Sequence, residues 1–194
     1  LDQLKILISD EETSKVSNQE LELKSTAIQQ KFLANPLSGR EIGNLSLSNK
    51  SGNMISPPKF INILKMIQNR KGQVAVYSSY NFHGIQAFAK FLDKTEFKND
   101  YVILDPETST DTQIKRIQQY NSTKKRIILI HPEITEGVSL QATEQFHILE
   151  PLANAALMRQ IIGRAVRYKS HTHLAKERQK VSIYIWQSYI QYSD

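Results

Sequence analysis

The chain has 194 residues, a formal net charge of +6, no cysteine, 40% hydrophobic and 23% charged residues. Disulfides and thiolate metal sites are excluded, and the length suffices for one domain plus an arm, with a core that needs no staples. No apolar run approaches the roughly 20 residues of a membrane helix, no secretory leader is visible, and a chain opening on Leu1 reads as a piece of something larger.

Residues 1–53 are polar, with Phe32 the only aromatic, and hold six Lys/Arg against seven Asp/Glu. Leu21 to Phe32 has the composition of a helix. Asn35-Pro36, Gly39, Gly43 and the run Ser48–Asn53 are loop chemistry. The segment is expected to be a connecting arm or insertion. Residues 54–194 hold nineteen basic and twelve acidic side chains, a balance of +7, and seven basic residues stand against one acidic between Arg159 and Lys180. Such a surface favours polyanions, nucleic acid above all; a solvated basic face on an ordinary enzyme is the alternative.

From Pro57-Pro58 the texture is that of a folded domain. Proline suits a first helical turn, and Phe60, Leu64 and Ile67 follow at helical spacing before Gly72. QVAVYSSY (73–80) predicts a strand and FHGIQAFAKFLDK (82–94) a helix. YVILD (101–105) is a strand, and a helix capped by Ser109 or Thr110 runs through Tyr120. RIILI (126–130) is continuously apolar, as a strand buried on both faces must be. QFHILE (145–150) is another strand, a helix covers 153–168, and VSIYIW (181–186) closes the series. Alternating strands and helices predict an α/β fold with a parallel sheet covered on both faces. Ligands of such folds lie beyond the carboxyl ends of the strands. The loops that matter are therefore Ser78–Asn81, Asp105–Thr110, His131–Leu140 and Glu150–Asn154.

The last helix carries an unusual pattern. At 100° per residue, Arg164 falls about 40° from Gln160 and Arg167 about 20° to its other side. Most other positions are apolar, so the helix is expected to be largely buried, and aligned arginines in such a setting need an anion. A phosphate is one solution, because a guanidinium is a permanent, bidentate donor. An internal salt bridge to Glu133, Glu136 or Glu150 is the other. Gly163 beside the stripe permits close approach of a backbone or ligand. The loop EITEGVSL (133–140), with its lone Gly137 among Thr135 and Ser139, follows a buried strand and offers amides and hydroxyls at the carboxyl edge.

In order and spacing, TEGVSL, QFHILEP and QIIGRAVR resemble motifs V and VI of superfamily 2 helicases and translocases. VAVYSSY is similar to their motif IV, and YVILDPETSTDTQIKRIQQYN to a Swi/Snf-type segment. GRAVRYKSHTHLAKERQKVSIYIW resembles helicases of large cytoplasmic DNA viruses. The resemblance covers roughly residues 57–187 and implies a RecA-like helicase C-terminal domain over 54–194. It implies that Arg164 and Arg167 are arginine fingers reaching ATP, that Gln160 and Gly137 contribute to the nucleotide site, and that Ser78, Ser79, Thr108 and Thr135 meet the nucleic-acid backbone. Ser139 stands where the family often has Asp or Asn, and Pro106 replaces a frequent glycine. None of the seven glycines is followed by lysine, so no Gly-Lys-Ser/Thr phosphate loop exists, and no acidic magnesium motif stands beside one. ATP and Mg2+ are thus expected mainly on a separate N-terminal RecA domain, with this piece inactive alone. DNA or RNA and that domain are the implied partners. A cytoplasmic location, including a viral factory or virion, is implied, with the nucleus left open. The alternative is a non-catalytic nucleic-acid-binding or assembly module that kept the fold.

Weaker signals read blandly. His171-Thr172-His173 lacks an obvious third metal ligand and suits a basic loop, so no metal site is expected within the chain. His147 reads as a core or edge histidine, and Tyr184 and Trp186 as core rather than base-stacking residues. Ser139 with His131 or His147 lacks a nucleophile elbow. The sequons at Asn44, Asn49 and Asn121 carry little meaning without a leader.

Overall fold

The computed structural model describes residues 4–5, 44, 47–48, 54–134, 139–152, 155–165, 170–188 and 191–192. Within the N-terminal segment, two-residue strands β1 (Leu4–Lys5) and β2 (Leu47–Ser48) pair antiparallel with β9 (Gln191–Tyr192) and β3 (Met54–Ile55). The helix expected over Leu21 to Phe32 lies outside the described residues.

The body is a five-stranded parallel sheet. Its strands are β4 (Gln73–Tyr77), β5 (Tyr101–Leu104), β6 (Ile127–Ile130), β7 (Thr143–Ile148) and β8 (Ser182–Ile185), in the spatial order β5-β6-β4-β7-β8. β4 and β6 are buried at every position, which is why they are written in Val, Ala, Ile and Leu with no polar alternation. Alternate residues serve opposite faces. Val74, Val76, Ile127 and Leu129 join Phe60, Ile63 and Ile67 of helix α1 (Pro58–Asn69) and Phe88, Phe91 and Leu92 of α2 (Ala87–Leu92). Ala75, Tyr77, Ile128 and Ile130 join Tyr120 of α3 (Thr110–Asn121) and Ile161 of α4 (Ala155–Ala165). Both faces are thus covered, and the fold is RecA-like. No described helix is long and apolar enough to cross a membrane.

Polar pins close the amino-terminal side. Arg126, just before β6, donates to the carbonyls of Ile67 (2.6 Å) and Gly72 (2.9 Å) and lies 5.1 Å from the Phe97 ring centroid. It thereby satisfies orphan acceptors at the end of α1. His171 has both ring nitrogens engaged, with the Ser170 hydroxyl and the Thr143 carbonyl, each at 2.7 Å. It ties the loop before β8 to β7, which accounts for it without a metal. His147 is completely buried and stacks on Tyr184 and Trp186; Trp186 Nε1 donates to its Nδ1 at 3.2 Å. Burial pushes its pKa down to about 3, so it is a neutral packing residue, and Tyr184 of β8 and Trp186 just beyond it are half-buried against it. The same alternation leaves Ile183 and Ile185 exposed, at 37% and 46%.

Two expectations need correction. The helix after β4 begins with a widened π turn, Asn81–Gln86, before becoming α-helical. Gly84 lies against Ser78 so closely that a Cβ there would collide with the Ser78 hydroxyl. α4 is not largely buried: Ile161 is covered, but Ala155, Ala156, Arg159 and Gln160 are exposed and Leu157, Met158, Ile162 and Gly163 are half-buried. One face of α4 packs on the β7 side of the sheet, and no described residue approaches a Cβ placed at Gly163 within 4 Å. Among the described residues its apolar surround is therefore only partly covered.

Candidate functional site

The parallel sheet sends β4, β5, β6 and β7 out at one edge, and their first polar residues meet there. Glu150, two residues beyond β7, is 1% exposed. It accepts the Ser78 hydroxyl at 3.1 Å and the Ser79 amide, while Ser78 Oγ accepts the Tyr80 amide at 3.1 Å. One carboxylate therefore fixes the whole turn leaving β4. Lys59, in the first turn of α1, is buried and donates to the Leu149 carbonyl at 2.6 Å. Burial lowers the Lys59 pKa to about 8 against the attraction of Glu150, and burial raises that of Glu150 against the hydrogen bonds from Ser79 and Ser78. Desolvation outweighs pairing in both groups.

A second network lies beside the first. Asp105, after β5, accepts from Gln86 Nε2 at 2.7 Å and from the Thr108 hydroxyl at 2.5 Å. Thr108 in turn accepts from Arg116 of α3 at 2.8 Å, and Arg116 also donates to the Ile103 carbonyl at 2.6 Å. His131, after β6, lies between the two networks. Burial lowers its pKa, opposed by Glu133, by a hydrogen bond to the Ser79 backbone and by Asp105. Asn121, at the end of α3, spans the far end of the next loop, donating to the Ser139 carbonyl (3.0 Å) and accepting from the Gln141 amide (2.9 Å).

Ser78, Ser79 and Thr108 therefore all lie on the carboxyl edge. Ser78 is completely buried and Thr108 is tied between Asp105 and Arg116, whereas Ser79 is half-buried. Gln160 is exposed on α4. Arg164 belongs to α4 by its backbone, and its side chain lies outside the described residues, as do Arg167, Thr135 and Gly137. Of the internal partners considered for the arginines, Glu150 is engaged by Ser78 and Ser79, Glu133 is exposed, and Glu136 lies outside the described residues. Lys59, Gln86, Asp105, Arg116 and Asn121 escape sequence reading as site-builders. The one available signal is a polar residue directly after a strand, as at Asp105 and His131, or one apolar residue later, as at Glu150.

A RecA-like sheet with its polar residues gathered at the carboxyl edge defines the class, and the family profile agrees. Residues 58–169 match the helicase conserved C-terminal domain, and the chain belongs to that family. It is 35% identical over 146 residues to the Acanthamoeba polyphaga mimivirus protein R563, described as an ATP-dependent RNA helicase, covering 66% of this chain and 25% of that protein. It is 26% identical over 138 residues to nucleoside triphosphatase I of Heliothis armigera entomopoxvirus, covering 68% of this chain and 21% of that protein. The chain thus spans about a quarter or less of these relatives' length. The C-terminal part of the Fun30 ATPase domain shares the fold, with a TM-score of 0.57 at 16% identity over 90% of this chain and 52% of that one.

Proposed function

We propose that the chain is the C-terminal half of an ATP-dependent nucleic-acid helicase or translocase. ATP with its Mg2+ sits on a separate N-terminal RecA domain, and Arg164 and Arg167 reach its phosphates when the two domains close, with Gln160 and the Gly137 loop completing the nucleotide contacts. The nucleic-acid backbone crosses the carboxyl edge at Ser79, Thr108 and Thr135, with Ser78 holding the turn from beneath through Glu150. Guanidinium groups so placed stabilise charge developing on the transferred phosphoryl group.

The observation that carries this reading is α4. A helix of mostly apolar and small residues leaves Ala155, Ala156, Arg159 and Gln160 exposed, and among the described residues nothing comes within 4 Å of a Cβ placed at Gly163; Arg164 follows the exposed Gln160 by four residues, the spacing that repeats one helical face. Such a surface suits a second domain that docks and departs. In the full-length protein, Arg167→Ala should lower nucleic-acid-stimulated ATP hydrolysis by roughly 10³–10⁵-fold while leaving nucleic-acid binding in place. Hydrolysis at the wild-type rate would overturn the arginine-finger role.

A further inference from the structure

We propose that Phe82 is a stacking platform for an unpaired base of the nucleic acid crossing the carboxyl edge; this rests on the nucleic-acid reading above and adds a base-facing contact to it. Among the described residues Phe82 is the most exposed large hydrophobic side chain, at 66%. Its neighbours in the same stretch behave in the opposite way: Phe88 and Phe91 pack against each other and Phe60 in the core. Phe82 therefore contributes little to the interior, and an exposed benzyl group has no favourable term in water.

Its position supplies the function. Phe82 is the second residue of the π turn, three residues beyond Ser79, where the central strand β4 leaves the sheet. π turns concentrate at functional sites. The turn is rigid, because Glu150 fixes Ser78 and Ser79, and Gly84 lies hard against Ser78. The ring is also held in place: the Lys90 ammonium lies over one of its faces, 5.2 Å from the centroid, and the His83 ring packs T-shaped against it with centroids 4.9 Å apart, so a base would stack on the opposite face. A fixed aromatic face beside a cation matches the two parts of a nucleotide, with the base on the ring and the phosphate near Lys90. Stacking of this kind tolerates any base, since every base has a π face.

The test uses the full-length protein and two single-stranded oligonucleotides of equal length, one of mixed sequence and one abasic throughout. Phe82→Ala should weaken binding to the base-bearing strand by roughly tenfold and leave binding to the abasic strand unchanged. Phe82→Trp should restore the first, and the salt dependence of binding should match wild type, because no phosphate contact is lost. Phe82→Ala indistinguishable from wild type on both strands, or equally weakened on both, overturns stacking and leaves the nucleic-acid reading standing. Wild-type protein that binds neither strand overturns that reading and stacking with it.

Discussion

Glu150 shows how much of a site one side chain can organise. Its carboxylate is buried, yet it holds a hydroxyl and an amide of the turn that leaves β4. Glu150→Ala would strand those buried donors at a cost of ~1–3 kcal/mol each. Because burial raises its pKa in the folded state, the stability it contributes is held below the ordinary carboxylate pKa and lost as pH rises through the raised value. Lys59 runs the other way. Its pKa is lowered from 10.5 to about 8, so its contribution is full above 10.5 and lost as pH falls through about 8. Urea midpoints measured against pH should show the fall in stability on raising pH above the ordinary carboxylate range reduced in Glu150→Gln and the rise between about pH 8 and 10.5 abolished in Lys59→Met. Unaltered profiles would mean that neither group titrates where its burial places it.

At the scale of elements, the strands were the legible part. RIILI reads as two-sided burial and becomes β6, buried at all four described positions; QVAVY becomes the central strand for the same reason. Period and composition determine these because a strand in the middle of a sheet has no solvent face to encode. α4 was misread by that very logic. Apolarity around a helix states what should be covered, not by which residues, and the described residues cover only part of it. The π turn was illegible in the sequence, and the close approach of Gly84 to Ser78 within it is a contact that only the folded chain creates. Ser79 was recognisable by its place after a strand, whereas the partnership of Gln86, the Asp105–Thr108 loop and Arg116 joins three elements through contacts that the sequence spacing does not announce. Gly84→Ala tests the contact directly. The added methyl must push Ser78 away from Glu150, and thermal unfolding of the full-length protein should report a loss of about 1–3 kcal/mol, the usual penalty for overpacking. A neutral effect would show that the turn has room to relax.

For the whole molecule, the two faces of the sheet are built to different specifications. The face under α1 and α2 is sealed by interlocking phenylalanines, whereas the face under α3 and α4 ends in a helix half open to solvent. That asymmetry is what the proposed docking of a second domain on α4 requires. The margin next to α4 extends the theme. Among the described residues no strand pairs with β8 on its outer side, and Ile183 and Ile185 of this edge strand are exposed. A chain cut down to this lobe offers an adhesive border to its own copies, which can add strand to strand. Its size in solution should therefore grow with concentration in light scattering, and a lysine at position 183 should keep it monomeric.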